Sequence, residues 1–115
     1  MSDDLDFVMR FADNPNRMGV DLLIRAADAL NLGDRLFQNR LKELAKVEGW
    51  TDAALMIAEA ANDEPLAMEL RSGLDGKRPS AQIGDDPPFF APDLARAIVG
   101  AAAQHRKIVH EQDAL

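Results

Sequence analysis

Apolar side chains along this chain recur mostly three or four residues apart, and the polar residues between them mark where each helical segment starts and stops. The first predicted helix runs from Ser2 to Asp13, with Leu5, Val8, Met9 and Ala12 in one stripe that Phe7 and Phe11 widen. Ser2 stands at its N-cap and Asp3 and Asp4 in its first turn, where the helix dipole favours anions. Asn14-Pro15-Asn16 ends it, because the residue before a proline resists helical geometry. The second helix, Arg17 to Leu30, carries Asp21, Arg25 and Asp28 as a narrow polar stripe and is otherwise almost wholly apolar.

Gly33 and Asp34 supply a C-terminal stop and the next N-cap, predicting a third helix from Arg35 to Glu48 with Leu36, Phe37, Leu41, Leu44, Ala45 and Val47 inward. On its outer side Glu43 and Lys46 are spaced to pair while Lys42 and Lys46 repel, so charge pairing adds little to this helix. Gly49 stops that helix, and Thr51 caps a fourth over Asp52 to Ala61. Its run AALMIAEAA exposes little besides Asp52 and Glu59, which marks it as the central core helix. A short fifth helix follows, capped by Asp63 with Pro65 in its first turn, turning Leu66, Ala67 and Leu70 inward and ending at Ser72-Gly73.

Residues 73–91, with three glycines and three prolines and no helical period, read as a long loop. The last helix begins near Pro92 and Asp93 and ends near His110, with Leu94, Ile98, Ala101, Ala102, His105, Ile108 and Val109 on its inner face. Residues 111–115 read as a frayed tail. No segment shows the alternation of a strand, threonine occurs once and tyrosine not at all. The expected fold is therefore a single all-α domain spanning residues 1–115. It is a compact bundle of five or six helices with one long Pro/Gly-rich loop before the last, at a length that buries a core unaided.

Charge and composition narrow the chemistry. The net charge is -7, with the excess acid in residues 1–34 and 63–93 and a balanced stretch at 35–62. Such a surface repels nucleic-acid phosphates and anionic lipid unless a basic patch is locally concentrated. The absence of cysteine excludes disulfides, thiolate nucleophiles and cysteine-ligated metals. The opening MSDDLDFVMRFAD lacks the basic and apolar regions of a signal peptide, and no window approaches the roughly 18 apolar residues of a membrane span. A cytoplasmic protein is expected, with no membrane partner.

Catalytic parts are few. His105 lies on the apolar stripe of the last helix, where a histidine bonded to a neighbour is the simplest role. His105 and His110 are five apart, about 140° around a helix, and do not share a face as a metal pair would. The carboxylate pairs Glu59–Asp63 and Asp21–Asp28 lack the Glu-x-x-His, HExxH or calcium-loop context that gives such pairs a metal. Gly73 and Gly76 belong to neither GxGxxG nor GxxxxGK[ST]. No catalytic residue, metal or cofactor is expected; a small enzyme with a His105–carboxylate site ranks third among the functional readings.

The order from Lys42 to Ser80, helix, Gly49, capped helix, short break, third helix and GKRPS, resembles a helix-turn-helix of the bacterial repressor and antitoxin class. Such a degenerate regulator would use Arg35, Arg40, Lys42, Lys46, Lys77 and Arg78. Its recognition helix, however, would open on Asp63-Glu64-Pro65 and push acids at phosphates, so nucleic acid is disfavoured. The leading expectation is a non-catalytic protein–protein interaction, adaptor or regulatory domain of a bacterial or phage accessory kind. Its partner is another protein with a basic surface, and the binding residues are Phe89, Phe90, Asp85, Asp86 and Trp50. Prolines around the two phenylalanines limit the entropy lost on docking, and one ring would staple the loop while the other meets the partner. A homodimer is the other way to cover an apolar helix, since only one of the second and fourth helices can be central.

Overall fold

The computed structural model describes residues 2–13, 20–29, 34–60, 68–71 and 78–113. Five helices and three strands follow in order: α1 (Ser2–Asp13), α2 (Val20–Ala29), α3 (Arg35–Lys46), α4 (Trp50–Ala60), β1 (Met68–Arg71), β2 (Ser80–Ile83), β3 (Phe89–Phe90) and α5 (Leu94–Asp113). The fold is mostly helical but not all-α, because the strands form one antiparallel sheet in the order β1-β2-β3. Two expectations fall with this finding. Met68 to Arg71, expected in a fifth helix, is a strand, while residues 61–67 lie outside the described residues. The segment expected to be a loop at 73–91 contains β2 and β3, with 72–77 outside the described residues.

The reason for both is the same. Strands of four, four and two residues are too short to display a period of two. The residues Met-Glu-Leu-Arg of β1 favour helix when judged locally. What holds β1 extended is its ladder with β2, pairing Met68 with Ile83, Glu69 with Gln82, Leu70 with Ala81 and Arg71 with Ser80. β2 pairs on its other side with β3, Ser80 opposite Phe90 and Ala81 opposite Phe89. Side chains alternate across a strand, so Met68, Leu70, Ala81, Ile83 and Phe89 share one face and Glu69, Arg71, Ser80, Gln82 and Phe90 the other.

The central helix is α5 and not α4. Every residue from Ala95 to Ala103 is buried, the full circumference of the helix over more than two turns. α1, α4 and the sheet, chiefly through β2 and β3, pack against it, and α2 also touches it. The run Ala-Arg-Ala-Ile-Val-Gly-Ala-Ala-Ala permits this, because small side chains let neighbours approach closely on all sides. Arg96, the one charged member of the run, is 3% exposed and places its guanidinium 3.4 Å from Asp93, whose carboxylate also accepts the Arg96 backbone N–H at 2.8 Å. Asp93 thus caps α5, one residue past Pro92. α5 continues to Asp113, through the first residues of the expected frayed tail.

Around this axis, Lys107 on α5 meets Asp6 on α1 at 2.7 Å, and the Arg25 guanidinium of α2 lies 5.1 Å from the centre of the Phe7 ring. Gln38 of α3 donates to Asp28 of α2. Asp34 caps α3, accepting from the backbone of Leu36. At the other end of α3 the stop differs from expectation: Glu48, not Gly49, takes the left-handed conformation, at φ 56°. The Gly49 N–H bonds the Leu44 carbonyl at 2.8 Å and the Glu48 N–H that of Ala45 at 3.1 Å, the paired bonds of a Schellman closure. Gly49 then accepts from Ala53, so α4 starts at Trp50, one residue before the expected Thr51 cap. Leu36 and Val47, expected inward, are instead the most exposed large apolar residues described, and no Glu43–Lys46 bridge closes among the described residues.

Candidate functional site

The site is built on the β2–β3 hairpin. Gly84 begins its connection at φ 54°, a conformation that favours glycine, and Asp86 closes the turn by donating its N–H to the Ile83 carbonyl. Three side-chain contacts then clasp the connection to its surroundings. The His105 Nδ1 of α5 lies 2.7 Å from Asp86 Oδ2, Gln104 Nε2 donates to the Pro87 carbonyl at 2.6 Å, and Gln82 Nε2 donates to the Asp86 carbonyl at 3.0 Å. Histidine and glutamine, neighbours on one helix, thereby hold consecutive residues of the loop.

Strand alternation separates the two phenylalanines. Phe89 turns toward α5 and seats its ring on Gly100; a methyl group there would overlap ring carbons Cδ1, Cε1 and Cζ. Phe90 turns the other way and stays 50% exposed. Beside it lies an open groove of ≈ 370 Å³ lined by Met9, Arg10, Arg78, Pro88, Phe89 and Phe90, so α1 forms one wall and the hairpin the other. Arg10 and Arg78 are the two charged residues of this lining, both cationic on a chain that is negative overall. The field of Arg10 extends to Lys107. That ammonium is held above its ordinary value chiefly by its hydrogen bond to Asp6, with the charge of Asp6 acting in the same direction and Arg10 opposing it.

Compared with known protein families, curated proteins and solved structures, the chain matches none of them. Geometry alone therefore carries the functional reading.

Of the residues expected to meet a partner, Phe89, Phe90, Asp85 and Asp86 come together on the hairpin. Asp86 is engaged by His105 and only 14% exposed, leaving Asp85 as the exposed carboxylate of that pair. Trp50 opens α4, partly buried against the core, and does not line the groove. The residues expected to meet nucleic acid divide. Arg35, Arg40, Lys42 and Lys46 are exposed on α3, Arg78 lines the groove, and Lys77 lies outside the described residues. The segment that a helix-turn-helix needs for recognition is a strand from Met68 to Arg71.

The Asp86 carboxylate fixes the orientation of the His105 ring through their 2.7 Å contact. Among the described residues, no hydroxyl or amine hydrogen-bonds the ring, and the pair does not line the groove. No group of three potential metal ligands occurs among the described residues, and no described helix is long and apolar enough to cross a membrane. Met9 and Arg10 were legible only as helix positions on α1; nothing local signals that they face a hairpin some eighty residues later.

Proposed function

We propose that this chain is a non-catalytic protein-interaction domain of adaptor or regulatory type, acting in the cytoplasm, whose hairpin and α1 receive an apolar side chain of a partner protein. The observation that carries the reading is Phe90, half exposed beside an apolar groove on a hairpin clasped to the central helix. A half-exposed aromatic on a rigid support loses little entropy on docking, and aromatic anchors next to pockets carry much of the energy of protein interfaces. The charge of the lining favours the opposite sign from the basic partner surface expected from net charge. With Asp86 engaged internally and Arg10 along the groove, the fitting segment places a carboxylate beside its apolar anchor.

Immobilised wild-type protein and Phe90→Ser would be compared by quantitative mass spectrometry of bound proteins, and each differential binder remeasured in purified form by calorimetry. The reading expects Phe90→Ser to weaken the purified partner by about tenfold or more, with Asp86→Ala also weaker through loss of the clasp. An unchanged Kd for Phe90→Ser against every purified binder refutes it. Fractionation of the source cell tests the compartment.

A further inference from the structure

A second surface stands apart from the groove. Helix α3 packs on α2 and α4, whereas the groove belongs to α1 and the hairpin. Over Arg35–Lys46 it carries four cations and one acid, while the rest of the chain holds nine cations and nineteen acids. The charges are also placed. Arg35, Lys42 and Lys46, at i, i+7 and i+11, fall within about 40° of one another around the helix and span about 17 Å of its length; all three are exposed. Among the described residues none of the four α3 cations pairs with a carboxylate.

Beside this basic row runs a second one. Leu36 and Val47, 73% and 75% exposed, stand at its two ends, with Arg40 and Glu43 between them. Leu41, with Phe37, Leu44 and Ala45, fills the opposite, inner side, so Leu36 and Val47 have no place in this domain's core. An aliphatic pair three turns apart next to a row of cations is the complement of one particular ligand shape. From this juxtaposition we infer that α3 is a docking face for an acidic amphipathic helix of a partner protein, which lays apolar side chains on Leu36 and Val47 and carboxylates along Arg35, Lys42 and Lys46.

A nucleic-acid duplex fits less well. Leu36 and Val47 gain only against apolar atoms, and Glu43 on the second row opposes phosphate. With the groove on other elements, the domain has two separate contact surfaces, as an adaptor requires. The inference rests on α3 alone and stands whether or not the groove binds.

The test uses the whole protein and three labelled probes read by fluorescence anisotropy. They are a peptide of about 16 residues, long enough to cover the row, with leucines at helical spacing flanked by glutamates; its scrambled counterpart; and a mixed-sequence duplex of similar length. Micromolar binding of the amphipathic peptide is expected, weakening as salt rises from about 50 to about 200 mM and about tenfold tighter than the scramble. Arg35→Gln/Lys42→Gln/Lys46→Gln and, separately, Leu36→Ser/Val47→Ser should each lose about tenfold, and Phe90→Ser should bind as the wild type does. All the substituted residues are exposed; circular dichroism verifies the fold, and Lys42→Gln/Lys46→Gln serves if the triple variant is unfolded. Equal binding of the scramble, no peptide binding, or tighter binding of the duplex than of the peptide overturns the inference.

Discussion

Replacing Gly100 by alanine is expected to destabilise the protein, although alanine favours a helix interior by about 1 kcal/mol over glycine. Its new methyl group would meet the Phe89 ring, and the ring has little freedom to yield because Phe89 is held in the ladder opposite Ala81. Either the ring leaves its seat, losing about 2 kcal/mol of apolar burial, or α5 shifts, at an overpacking cost of about 1–3 kcal/mol. Net of the helical gain, Gly100→Ala should lose up to about 2 kcal/mol, or up to about 8 °C in Tm for a domain of this size. In a Phe89→Ala background the obstacle is absent, and the same substitution should stabilise by about 1 kcal/mol. The sign therefore reverses, giving a coupling energy of about 1–3 kcal/mol for two residues in direct contact. Urea unfolding of the four proteins, followed through Trp50, the sole tryptophan and partly buried against the core, measures the cycle. A coupling within about 0.5 kcal/mol of zero, or a stabilised Gly100→Ala single variant, would refute the seating of the ring.

Glu48 is strained at φ 56°, and Glu48→Gly should raise stability by about 0.5–1 kcal/mol, the left-handed penalty less the added unfolded-state entropy of glycine. If Glu48→Ala stabilises equally, the cause is removal of an acid from the C-terminal end of α3 and not backbone strain. For the Asp6–Lys107 bridge the sign follows from the raised lysine: its contribution is complete below the ordinary lysine value of 10.5 and is lost as pH rises through the higher value in the folded state. Chemical denaturation from about pH 9 to about 12 should show a shallower alkaline decline for Asp6→Asn than for wild type, and the difference should shrink in high salt. Identical slopes would contradict the pairing.

How much of this was legible in the residues varies by feature. Helices α1 to α4 follow from spacing and end signals, and the cap at Asp34 and the start of α5 at Asp93 are written in adjacent residues. Phe89 and Phe90 stood out as a pair among prolines, but which ring is buried depends on strand alternation and so on the existence of β3. His105 and Asp86 were each noticed for different reasons, and nothing in a separation of nineteen residues says that they touch.

Local energetics explain what the sequence determined by itself: capping groups, helical spacing and proline breaks act over a turn or two, and their effects survive whatever packs around them. Tertiary structure alone decided the sheet, the central place of α5 and the groove. β1 is extended because β2 lies beside it, α5 is buried on all sides because its small residues admit α1, α4 and the sheet, and Met9 and Arg10 share a groove with Phe90 because α1 docks on α5. Each of these is a choice among non-local contacts, whose free energy appears only when distant segments meet.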